Sequence, residues 1–158
     1  MTVFKTDLSP YSFLAFWLHR LSATVMKRFE AALDQHDITV AQWNLLLFIA
    51  REEDCLPGKL VALAGIDGAA VTRGVDRLVA RGYVERIYDL NDRRSVRIML
   101  TTAGHAVLSA TLPIATEQDL LWTENMSVST RDDLIRIFND LLKDDKIAGE
   151  NVDTRIVR

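Results

Sequence analysis

A single cysteine, Cys55, occurs in 158 residues, which excludes a disulfide framework within the chain. Histidine is almost as scarce. His19, His36 and His105 stand too far apart for metal-ligand spacing. There is no nucleophile elbow and no glycine-rich phosphate loop, and the paired acids Asp132-Asp133 and Asp144-Asp145 read as helix-start and tail charge. Intrinsic catalysis is therefore not expected. Apolar runs are short, that of residues 13–18 being typical, and far below the length needed to span a bilayer. With no signal-peptide or lipidation pattern, the expected location is the cytoplasm. Repeats and low-complexity tracts are missing too, and positive charge is scarce overall, the net charge being −3.

Hydrophobic residues are plentiful, at 49%. A chain of this length and content can bury a core as one domain or as one protomer of a tight oligomer. Charge is also segregated. Residues 55–100 carry 8 Lys/Arg against 5 Asp/Glu, whereas the remainder carries 11 against 17. The cations thus gather in one segment of an otherwise acidic chain.

That segment holds the most informative stretch, residues 65–104. Asp67 is placed to N-cap a helix, and Gly82 suits the left-handed position that ends one. Between them Val71, Val75, Leu78 and Val79 form an apolar stripe at helical spacing. Arg73 and Arg77 share another face with Ala69, Ala70 and Thr72 near the start. A helix that reads DNA needs this division, with its back packed, its N-terminal residues near base edges and its arginines near phosphates. An ordinary amphipathic helix with a solvated basic face has the same pattern.

Two strands follow, at residues 83–88 and 96–100, the second alternating Val96, Ile98 and Leu100 with Arg97 and Met99. Asn91-Asp92 supplies turn chemistry between them. Arg93 and Arg94 at such a hairpin tip suit the narrow, electronegative minor groove, although a solvated tip would also accommodate them. A short helix over residues 59–64, closed by Gly65, precedes the basic helix, and together they read as a helix-turn-helix followed by a wing.

The run DLNDRRSVRIMLTTAG, residues 89–104, resembles the wing signature of the MarR (multiple antibiotic resistance regulator) family. The preceding GID…VTRGVDRLVARGYVER resembles that family's recognition helix, and TVAQWNLL at residues 39–46 extends the likeness more weakly. The resemblance implies a mainly α fold, a winged helix-turn-helix at 39–100 within one domain. Helices at 10–35 and 101–143 would form a homodimer interface; the polar sequence of 144–158 is itself expected to be a flexible tail. The resemblance implies a sequence-specific DNA-binding transcriptional regulator, a repressor on a near-palindromic operator, relieved by a small aromatic or phenolic acid.

By the same resemblance Arg94 enters the minor groove, Asp92 holds it, and Arg93 meets a phosphate. Thr72 and Arg73 match positions that meet bases or phosphates; from the helix pattern itself, Arg77 is expected near a phosphate and Lys59 at the DNA backbone where its helix begins. Ala69 and Ala70 stand where relatives often carry polar groups. Alanine can touch a thymine methyl but donates no hydrogen bond, so direct base readout would be thin and shape readout correspondingly important. The same two residues keep open a different class, a winged-helix protein–protein interaction module. An effector pocket is expected from Trp17, His19 and Arg20 on the first helix with Trp43 on the second, although both tryptophans also fit a core. Cys55, in a charged loop, does not match the family's oxidant-sensing position.

The remaining helices follow from pattern. Ser9-Pro10 opens a helix to about Leu33 in which 14 of residues 13–33 are apolar, alanine included, too many for one buried stripe. Thr39-x-x-Gln42 is a capping box. Thr101 caps a helix to about Leu121, with Pro113 expected to bend it. Ser129-x-x-Asp132 is expected to start the last helix, whose apolar positions run from Leu134 to Leu142.

Overall fold

The computed structural model describes residues 9–52, 55–88 and 96–143. The expected tail, 144–158, lies outside them. A 3-10 turn at Pro10–Ser12 leads into α1 (Leu14–Leu33), and a second at Asp34–His36 leads to α2 (Val40–Arg51). Then come α3 (Pro57–Ala64), α4 (Gly68–Ala80), strands β1 (Val84–Tyr88) and β2 (Val96–Leu100), α5 (Thr102–Thr123) and α6 (Val128–Lys143). The fold is mainly α, as the sequence implies.

The helix boundaries are set by the caps. Thr39 and Gln42 form the reciprocal box, each side chain bonding the other's backbone amide, at 3.2 and 3.1 Å. The Asp67 carboxylate accepts from Ala70 N at 2.9 Å, and the Thr101 hydroxyl from Gly104 N at 3.1 Å. Gly65 and Gly82 sit at φ 62° and 70°, the left-handed backbone that favours glycine. Two boundaries differ from expectation. Extended backbone at Phe13 separates the Pro10 turn from α1. And α6 is capped by Ser127, whose hydroxyl accepts from Thr130 N at 3.1 Å. With hydroxyls at 127, 129 and 130, the spacing alone could not say which one takes the amide.

α2 lies at the centre, against α1, α3, α4, α5 and β2. Leu46 is wholly enclosed, and so are Leu33, Leu60 and Leu78 around it. Trp43 packs edge-on against Phe29 of α1, ring centroids 5.1 Å apart, and its Nε1 donates to Thr111 Oγ1 of α5 at 2.9 Å. The indole thus ties three helices together with its polar end satisfied. β1 and β2 pair antiparallel from Val84–Leu100 to Tyr88–Val96. Ile98 is the inward residue of β2, while Arg97 and Met99 face out, as the alternation implies.

Outside this core the apolar excess is left bare. α1 buries only Phe29 and Leu33, while Phe13, Leu14, Trp17, Leu18 and Leu21 are exposed. On α6 Leu134 and Ile135 are half-buried, but Ile137, Phe138, Leu141 and Leu142 are exposed. Patches of this extent are uncommon on a monomer.

Candidate nucleic-acid interface

α3, the tight left-handed turn at Gly65 and α4 form the helix-turn-helix. Val71, Val75 and Leu78 anchor α4 inward. At Gly74 an added Cβ would lie 2.5 Å from Leu45 Cδ1, so α4 crosses α2 at a distance that only glycine permits without repacking. This close seat turns the opposite face outward. Ala69, Thr72, Arg73 and Arg77 are exposed, and Ala70 is half-buried. The Thr72 hydroxyl donates back to Gly68 O at 2.8 Å. Among the described residues neither Arg73 nor Arg77 has an ion-pair partner.

Beside α4 the hairpin is braced by Arg86 of β1, which donates to Asp76 Oδ1 at 2.5 Å. This bond holds the wing strands against the helix. The strands end at the Tyr88–Val96 pair. Asp92, Arg93 and Arg94, which fall between them in sequence, lie outside the described residues. Lys59 is differently placed from the expectation of a free phosphate contact, because it ion-pairs with Glu52 across the loop before α3. It can reach DNA only by leaving or sharing that carboxylate.

The chain is similar along this region to characterised proteins. A family model described as the MarR family matches residues 36–95. MarR of Escherichia coli K12, the multiple antibiotic resistance protein, is 37% identical over 94 residues, 57% of this chain and 65% of that protein. YetL of Bacillus subtilis 168, an HTH-type transcriptional repressor, is 30% identical over 99 residues, 63% of this chain and 59% of that one. A crystal structure of a mutant E. coli MarR complexed with operator DNA superposes with a TM-score of 0.77 at 28% identity, over 87% of this chain and 99% of that one. Over these residues the chain is similar to MarR-family regulators. In sequence it aligns with somewhat under two thirds of these curated relatives.

The four expected pocket residues do not converge within this chain. Trp43 is core, bonded to Thr111. Trp17 is exposed and donates from Nε1 to Tyr11 O at 2.9 Å, among the rings of Tyr11 and Phe16. It lies twelve residues from Phe29, the partner of Trp43, or about 18 Å along α1. His19 and Arg20 are exposed on the same segment. A cavity of about 390 Å³ lies elsewhere, between α3, α4 and the hairpin, walled by Val61, Val71, Val75 and Ile98 with Thr72 and Arg86 among its polar groups.

Cys55 is also not the loop residue that its charged neighbours suggested. It is fully buried, and its carbonyl accepts from Ile98 N at 2.9 Å, adding a one-residue bridge to the outer edge of β2. Burial pushes its thiol pKa up to about 11, the Glu52 charge adding to the shift and Lys59 opposing it. At neutral pH it stays a thiol, the weakly nucleophilic form. No helix among the described residues is long and apolar enough to cross a membrane.

Proposed function

We propose that this chain is a sequence-specific, DNA-binding transcriptional regulator, a homodimeric repressor that acts in the cytoplasm on a near-palindromic operator and is not an enzyme. The observation that carries this reading is the outward face of α4. Two arginines without partners among the described residues, and a row of small residues, are presented beside a hairpin braced onto the same helix. The E. coli MarR–operator complex supports it. Two such helices roughly 34 Å apart in a symmetric dimer would enter successive major grooves. Ala69 and Ala70 fit thymine-methyl contact and shape readout as well as they fit a protein partner.

The wing arginine provides the test. Arg94→Ala is expected to weaken binding to DNA from upstream of the protein's own gene by about 1–3 kcal/mol at fixed salt, and to flatten the slope of log K against log salt by about 1. Fluorescence anisotropy reads both. Unchanged affinity would remove the wing from the mechanism.

Relief by a small aromatic or phenolic acid is the second part of the reading. The cavity beside α4 suits such a molecule, with aliphatic walls for a ring and the Arg86 guanidinium for a carboxylate. A carboxylate there would compete with Asp76 for Arg86 and loosen the brace between wing and helix. Benzoate-like acids are therefore expected to raise the melting temperature and release DNA, and Arg86→Gln is expected to abolish both effects. A panel in which no acid does either would overturn this part alone.

A further inference from the structure

The far end of α4 is held by a contact that the DNA-reading face does not use. Arg81, the C-cap residue of α4, reaches the turn between α1 and α2 and donates to both the carbonyl oxygen and Oδ2 of Asp37. Asp37 is the one non-glycine residue with positive φ, 52°, among the described residues. Aspartate is one of the few side chains that tolerate left-handed backbone. In that conformation it offers two oxygens to a single planar guanidinium.

The turn it grips is itself stiff. Asp37 N donates to Asp34 O at 2.9 Å. Glu30 of α1 accepts from Val40 N at 3.0 Å, joining α1 directly to the first residue of α2. The capping box of Thr39 and Gln42 closes the same corner. α4 otherwise packs on α2, α3 and β1. The link to Asp37 thus ties it to the corner at the end of α1, the long helix with the bare apolar face. Alongside the link an open cleft of about 410 Å³ separates Glu30 and Asp34 from Arg77 and Ala80. On that side of α4 the Arg81–Asp37 tie bridges open space rather than packed side chains.

We propose that Arg81 is a positioning residue that fixes the tilt of α4 against the α1–α2 corner, so that the dimer holds its two reading helices at one separation. This rests on the dimeric DNA-binding reading above. The pair is partly exposed, Asp37 almost wholly so, and such pairs contribute little to stability. Its consequence is expected in geometry rather than in melting temperature.

The test uses the full chain and three duplexes carrying the preferred operator, with half-site centres about 10 bp apart, or one base pair closer or farther. Wild type is expected to favour one spacing. In Arg81→Met and in Asp37→Asn, that preference is expected to shrink by about 2–30-fold, the range of measured coupling effects. Asp37→Asn keeps a side chain suited to left-handed backbone but deletes a negative charge. Simple electrostatics predicts that it binds every duplex more tightly with the preference intact. That result, or an Arg81→Met whose affinity falls equally on all three duplexes, overturns the positioning role while leaving DNA binding standing. A wild type that ignores all three at low salt overturns the functional reading and this inference with it. Should Arg81→Met fail to fold, Arg81→Lys, which keeps the charge but lacks the planar fork that spans both oxygens of Asp37, decides in its place.

Discussion

Gly104→Ala is expected to destabilise the protein by about 3 kcal/mol, the upper end of what overpacking usually costs. In an exposed helix the same change would be favourable by about 1 kcal/mol, because alanine is the better helix former. Position decides the sign. Gly104 sits in the first turn of α5, and a Cβ built there would lie 2.0 Å from the carbonyl oxygen of Tyr83 and 3.0 Å from its carbon. The obstacle is backbone, so no side chain can swing aside. It is also employed, since Tyr83 O accepts from Thr101 N at 3.1 Å. The Thr101 hydroxyl, which accepts from Gly104 N, reaches Gly82 O at 2.5 Å. Moving α5 away therefore breaks the seam that joins it to the hairpin. Urea titration at fixed protein concentration measures the loss, with a fall in melting temperature of roughly 6–12 °C. Gly58→Ala is the control, as its Cβ would meet nothing within 4 Å. A Gly104→Ala protein as stable as wild type would mean that α5 and β1 are not this close in solution.

The parts of the fold legible in the sequence are those fixed by local chemistry. Asp67, Gly82, Thr39 with Gln42, Thr101 and Gly65 each announce a helix end because capping involves residues only three or four apart. The α4 stripe and the β2 alternation are likewise local periods, so the exposure of Arg73 and Arg77 followed from them. What escaped depends on distant pairing. Cys55 joins the sheet by one bridge, and a one-residue strand has no period. The grip of Arg81 on Asp37 spans 44 positions and leaves no spacing signal at all. Lys59 had a carboxylate across a loop that composition could not assign to it. Trp43 shows the harder case, because an aromatic at helical spacing looks the same whether it lines a pocket or fills a core. Only the hydroxyl of Thr111, 68 residues away, settles where its indole goes.

Leu21→Asp is expected to convert the proposed dimer to monomers and to weaken operator binding by about 10²–10⁴-fold, the gain that linking two binding modules ordinarily brings. Leu21 is 50% exposed within one protomer, so replacing it opens no cavity in the core around α2. In the proposed dimer it lies on the stretch of α1 that also bares Leu14, Trp17 and Leu18, and a carboxylate there must be desolvated without a partner. Circular dichroism should therefore keep its helical signal while sedimentation velocity reports half the mass. The DNA measurement then separates two causes of weak binding. Arg94→Ala leaves a dimer whose salt slope is shallower by about 1. Leu21→Asp leaves every α4 and wing contact intact on each half, so one half-site should bind a monomer as weakly as the wild type binds that half-site alone. A variant that remains dimeric, or a monomer that keeps full operator affinity, would show that the bare faces of α1 and α6 serve something other than the spacing of two reading heads.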